Sequence, residues 1–165
     1  MRDANGQPTG ILVDNAMSII NDILPPPSDE ELAAAVDAAT HHLLTLGITS
    51  THDAGVSATE HRFYTELASQ EMLAVRLYGM ISSTDPELAS ILSAGPTVDD
   101  NDLYSVKSVK VYTDGALGSR GAAMLEPYAD RPGHRGLLLT SQQQLRSIFA
   151  DAIKAEFQVA IHAIG

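Results

Sequence analysis

The chain has 165 residues, 44% of them hydrophobic, with balanced hydropathy, so it can bury a sizeable core and one domain is the natural count. Its net charge of −11, with 10 Lys and Arg scattered singly, argues against nucleic acid and against an anionic membrane surface as partners. No apolar run approaches the roughly 20 residues of a membrane span, the polar start Met1-Arg2-Asp3-Ala4-Asn5-Gly6 lacks the apolar core of a signal peptide, and the lack of cysteine removes disulfides and thiolate ligands. A cytoplasmic location is the expectation.

Pro25-Pro26-Pro27 stops whatever precedes it, and Ser28-Asp29-Glu30-Glu31 then reads as a capping box. The spacing of Leu32, Val36, Ala39, Leu43 and Leu46 predicts a helix with one buried stripe, ended by Gly47. Ile48 to Gly55 reads as a strand, Ala58 to Ser69 as a helix and Val75 to Ile81 as a second strand. Asp85-Pro86 opens a short helix through Leu92, and Val106 to Thr113 is a third strand. After a loop holding Pro127, Pro132, Gly133 and Gly136, Ser141 caps a helix with the apolar face Leu145, Ile148, Phe149, Ala152 and Ile153. Val159 to Ala163 is the fourth strand.

Helices alternating with short apolar strands predict an α/β fold of parallel βα units, either a doubly wound sheet or a (β/α)8 barrel. A barrel needs about 250 residues, so four strands make roughly half of one. The chain is expected to continue past Gly165, where a loop and covering helix would follow the last strand.

The chemistry concentrates in Val109-Lys110-Val111-Tyr112-Thr113-Asp114-Gly115-Ala116-Leu117-Gly118-Ser119-Arg120, where a lysine interrupts an apolar strand that runs into a glycine-rich loop. Side chains alternate along a strand, so Lys110, Tyr112 and Asp114 share one face and Val109, Val111 and Thr113 the other. Lys107 falls on the Val109 parity but near the strand's start, so it is expected at the periphery. In the last strand Val159 and Ile161 form the helix-facing set and Ala160 and His162 the opposite one, so Lys110 and His162 are expected to converge. A buried lysine needs a reason. Three are open: a Schiff base with a carbonyl substrate, an ion pair with an acid such as Asp114, or a carbamate formed with carbon dioxide that bridges metal ions. The ion pair with a core histidine is the plainest of them.

The glycines Gly115, Gly118 and Gly121 match neither a dinucleotide fingerprint nor a phosphate-binding loop. Arg120, near the strand's carboxyl end, is a candidate for holding a substrate carboxylate or for pairing with Glu126. His52 closes the first strand beside Asp53 and is a candidate substrate-binding residue, as is Asp114 where the third strand enters its loop. His41 and His42 are read as helix surface or packing residues, and His61 and His134 have no partner at metal-ligand spacing.

These motifs, with Gly10-Ile11-Leu12-Val13-Asp14-Asn15-Ala16, Gly47-Ile48-Thr49-Ser50-Thr51-His52-Asp53-Ala54-Gly55 and Val159-Ala160-Ile161-His162-Ala163-Ile164-Gly165, resemble the amidohydrolase superfamily. Within it they are most similar to the amidohydrolase 3 group of YtcJ-like proteins and N-substituted formamide deformylases. The resemblance implies that residues 1–165 are the central part of a distorted (β/α)8 barrel that hydrolyses a small-molecule, non-peptide amide-type C–N bond with a metal-activated water. It implies one or two divalent ions, zinc first, with Lys110 as the carbamylated ligand and His162 as a second ligand. The family's His-x-His pair would lie before Met1, and its further histidine and aspartate beyond Gly165, so the isolated chain is expected to be nearly inactive. Two other readings stay open: a non-catalytic half-barrel module, and a Schiff-base lyase or aldolase using Lys110. Exposed barrel edges are expected to promote self-association.

Overall fold

Ser28 forms the expected capping box: its Oγ accepts the Glu31 N–H at 3.3 Å while its own N–H donates to Glu31 Oε2 at 2.8 Å. Two orphan donors at the helix start are thereby satisfied. We describe the chain from a computed structural model covering residues 1–12, 14–21 and 23–165. Val13, inside the Gly10 to Ala16 match, and Asp22 lie outside the described residues. The chain forms two compact units, the larger from residues 27–111 and 142–161 and the smaller from residues 1–26, 112–141 and 162–165.

In the smaller unit a 3-10 turn, Asp14–Met17, leads into α1, Ser18–Asn21. Its first residues form a short hairpin in which Arg2 bridges Pro8 around Gly6. The long loop after residue 112 folds back on itself. Gly136 is essential there, because at φ +75° a Cβ on it would strike the Ala122 carbonyl oxygen.

The larger unit comprises α2 (Asp29–Thr45), β1 (Ser50–Val56), α3 (Ala58–Ser69), β2 (Arg76–Ser82), α4 (Leu88–Ala94), β3 (Thr97–Val98), β4 (Tyr104–Tyr112), α5 (Gln142–Lys154) and β5 (Gln158–His162). The final residues of β4 and β5 belong to the smaller unit. β1, β2 and β4 pair in parallel, β5 pairs with β4, and β3 adds a short antiparallel edge opposite Ser105 and Val106. The parallel α/β expectation therefore holds for the strands β1, β2 and β4. β3 is a fifth strand that the sequence reading missed, since two residues carry no period.

The core lies between the sheet and its helices, with Val56, Ile81, Tyr104, Val106, Val109 and Val111 fully enclosed. Burying each such side chain contributes about 1.5–3 kcal/mol. Gly79 lets β2 and β4 approach there, since a Cβ would stand 3.0 Å from both Tyr104 Oη and Val106 Cγ2. Four expected core positions are corrected. Leu46 is 63% exposed because α2 has already ended at Thr45, Ile153 is 71% exposed on the side of α5 away from Ala152, and Ala39 on α2 and Ile161 on β5, both expected to face the core, are exposed too.

Strand parity also needs one correction. Gly79 pairs with Val106 but Met80 with Ser108, so Lys107 is an extra residue in a β-bulge. Tyr104 and Val106 face the core before the bulge, and Val109 and Val111 after it. Lys107 is exposed because it sits in the bulge and does not follow the Val109 parity. The short helix starts at Leu88, later than expected, because Asp85 is used otherwise: Oδ1 accepts the Glu87 N–H and Oδ2 the Ala58 N–H at the start of α3, both at 2.8 Å.

Ser57 caps α3 with Glu60 in a second capping box. Replacing Ser57 with Ala should lower stability by about 1 kcal/mol, seen as a lower urea midpoint at unchanged slope. An unmoved midpoint would show that α3 is held by packing alone.

Candidate functional site

In the larger unit, the sheet face turned away from the helices carries a polar row. Its parity follows from the core residues: Leu77, Gly79 and Ile81 pack inward, so Tyr78 points to the other side. The Tyr78 hydroxyl accepts from Ser108 Oγ at 2.8 Å and stands 3.5 Å from Gln158 Oε1. The His52 ring lies 5.0 Å from the Tyr78 ring at a 42° tilt. Lys110 follows Ser108 by two residues on this face, half-buried, with Ser82 as its cross-strand neighbour. Its main-chain oxygen accepts the Ser83 N–H at 2.9 Å.

His52 is the third of seven residues in β1, so it lies within the strand and not at its end, because pairing with β2 continues through Val56. Its neighbour Asp53 points to the helix side, where Oδ2 accepts the Tyr64 hydroxyl at 3.2 Å. Tyr78, Ser108 and Gln158 were not singled out from the sequence. The signal existed in the alternation of β2, but Ser108 lies beyond the bulge, where simple parity fails.

In the smaller unit His162 is half-buried and its ring lies 5.4 Å from that of Tyr112. Its carbonyl oxygen accepts from Thr113 N at 2.9 Å and Thr113 Oγ1 at 2.7 Å, which fixes the backbone at the end of β5. Asp114 is 2% exposed, and its carboxylate accepts three backbone N–H groups, from Gly165 (2.7 Å), Ala123 (2.9 Å) and Ile164 (3.1 Å). Burial pushes its pKa up, but those N–H groups and nearby His162 outweigh it and leave the carboxyl below the usual range. The geometry makes Asp114 an anchor for the loop after β4.

Arg120 adopts a left-handed backbone (φ +63°), and its Nε lies 3.1 Å from both carboxylate oxygens of Asp130. Its partner is thus Asp130, while Glu126 stands 3.9 Å from Arg135. The expected pairing with Glu126 is thus corrected: Asp130, ten residues on, is the acid that the folded loop brings to Arg120. His134, without a metal partner in spacing, has its Nε2 2.9 Å from the Arg120 carbonyl oxygen and stacks on Tyr128. His41 and His42 are exposed on α2, and His61 Nδ1 lies 3.1 Å from Tyr104 Oη.

Among the described residues no group of three or more His, Asp or Glu stands within reach of one ion. The donors available are the His162 imidazole, which suits a borderline divalent cation, and Lys110, which becomes an anionic oxygen ligand only as a carbamate. A catalytic zinc shell takes about three protein ligands, more than either residue supplies by itself.

The α/β fold with its parallel sheet matches solved metal-dependent hydrolases over part of their chains. The crystal structure of an uncharacterized metal-dependent hydrolase from Pyrococcus horikoshii OT3 superposes with a TM-score of 0.78 at 29% identity, over 91% of this chain and 30% of that one. The chain belongs to the Amidohydrolase family, whose sequence profile matches residues 1–165. It is 30% identical to the putative amidohydrolase YtcJ of Bacillus subtilis, across 100% of this chain and 31% of that protein. It is 31% identical to Protein LONG AFTER FAR-RED 3 of Arabidopsis thaliana, across 100% of this chain and 30% of the plant protein. The chain thus spans about a third of the length of the curated relatives it matches.

Asp114→Asn leaves one oxygen acceptor for three N–H groups and should cost about 2–3 kcal/mol at pH 7. Because the folded carboxyl titrates below its unfolded value of about 3.9, its contribution is present above that pH and is lost as pH falls through the folded value. Urea unfolding of both proteins at neutral and acid pH should therefore show the gap closing in acid. A gap of equal size at both would remove the charge from the explanation.

Proposed function

We propose that this chain forms part of the catalytic barrel, of the (β/α)8 type, of a metal-dependent amidohydrolase that cleaves a non-peptide, amide-type C–N bond in a small molecule. The observation that carries this reading is the family match along residues 1–165, with Lys110 on the helix-free face of β4. Zinc is the first candidate metal, and when bound it supplies a Lewis acid that makes water a nucleophile near neutral pH.

Lys110 acts as an oxygen ligand after its neutral Nζ attacks carbon dioxide, forming a C–N bond and releasing a proton to solvent. His162 offers an imidazole nitrogen, with its ring beside that of Tyr112 and its backbone held by the two hydrogen bonds from Thr113. His52, steadied by Tyr78, is the substrate-facing candidate on the sheet face. Arg120 meets an anionic substrate only by exchanging Asp130 for it. Asp114 serves as a positioning residue through the loop it anchors. Metal ligands beyond these two come from family segments outside the matched third, so the 165-residue chain by itself should turn over N-acyl amines barely above background. Exposed strand edges such as β1 then favour association between copies.

The test places the chain within a polypeptide of full family length and assays N-formyl and N-acyl amines with added zinc. Lys110→Ala and His162→Ala should each lower kcat/KM at least about a hundredfold, and carbon-13 bicarbonate should give a carbamate resonance that Lys110→Ala removes. Activity that survives Lys110→Ala would end the ligand assignment. Borohydride trapping of a carbonyl substrate on Lys110 would replace it with Schiff-base chemistry.

A further inference from the structure

Under α2, on the helix side of β1, the larger unit has a cavity of about 220 Å³ that is partly open to solvent. Its walls are apolar: Val36, Ala39 and Leu43 from α2, with Leu73, Val75 and Leu77 from the segment entering β2. One wall differs, because Asp53 and Tyr64 line it too. The polar side chains around it are otherwise occupied or few. Thr40 donates its hydroxyl to the Val36 carbonyl oxygen at 2.8 Å within the helix, and the remaining polar wall is Thr51 and His52.

Asp53 is the anomaly. It is half-buried, its Oδ2 accepts the Tyr64 hydroxyl at 3.2 Å, and among the described residues the ion pairs are Arg62–Glu87, Arg120–Asp130 and Arg135–Glu126, none of which includes it. A carboxylate removed from water usually has a cationic partner. Here burial raises its pKa, the Tyr64 hydroxyl opposes that, and the nearby Glu60 charge adds to it. A dry cavity of about 150 Å³ holds a benzene ring, so this one has room for a ring or short alkyl chain with a charged head.

We propose that the cavity is a binding site for a small organic cation, a primary ammonium whose head meets the Asp53 carboxylate and whose apolar body fills the space beneath α2. The carboxylate selects the charge, and the aliphatic wall selects an alkyl or aryl body over a hydrated metal ion. The Tyr64 hydroxyl keeps Asp53 turned toward the cavity. The Asp53 carboxylate lies on the face of β1 opposite the His52 contact with Tyr78, although His52 also borders the cavity.

Benzylamine and benzyl alcohol distinguish charge recognition from simple filling. Calorimetry on the 165-residue chain should show benzylamine binding at least about tenfold tighter than the alcohol, with the Tyr64 ring resonances shifting on titration. Asp53→Asn should abolish that preference, and Ala39→Met, which fills the cavity and keeps the carboxylate, should abolish binding of both. Either variant suffices if the other fails to fold. Equal binding of amine and alcohol, retention of the preference in Asp53→Asn, or no heat and no shift up to about 10 mM benzylamine would overturn the proposal.

Discussion

β4 must satisfy two opposed demands along nine residues, an apolar surface for the helices and a lysine for the other side. A strand meets both through its alternation, and Val109 and Val111 are wholly buried while Lys110 between them is not. β2, β3 and β5 all pair with this strand, so its register sets theirs. The bulge at Lys107 lets both ends of β4 keep their apolar residues on the core side although the sequence changes parity. Without it either Tyr104 and Val106 or Val109 and Val111 would face away from the helices.

The helix layer is not purely apolar. Tyr64 reaches Asp53 on β1, and His61 reaches Tyr104 on β4, so one turn of α3 is tied to two strands. Burial lowers the pKa of His61, with Arg62 adding to it, and burial raises those of Tyr64 and Tyr104. All three are therefore neutral at physiological pH and can be enclosed at little cost. The carboxyl groups of Asp53 and Glu60 lie near them. The capping boxes at Ser28 and Ser57 and the Asp85 bond to Ala58 hold α2 and α3 at the ends where backbone donors would otherwise be exposed.

Much of this was legible beforehand because it is local. Capping at Ser28, the span of α3 from Ala58 to Ser69 and the alternation around Lys110 depend on residues a few positions apart. The misses share a different character. Lys107 was given the wrong parity because a bulge is decided by the partner strand. His52 was placed at a strand end because the pairing with β2 that prolongs β1 is not written in β1. Asp114 was read as a substrate or lysine partner, whereas its contacts with Ala123, Ile164 and Gly165 come from 9, 50 and 51 residues away.

The sequence by itself determined the alternation of helices and strands, the acidic balance, and the family motifs containing Lys110 and His162, since period, composition and motif are properties of contiguous residues. Only the tertiary structure decided that Arg120 meets Asp130, that Asp114 anchors a loop, and that Asp53 faces an apolar cavity without a basic partner among the described residues. Each of those outcomes depends on which of several acceptable partners the folded chain brings within about 3 Å, the range over which a hydrogen bond has strength.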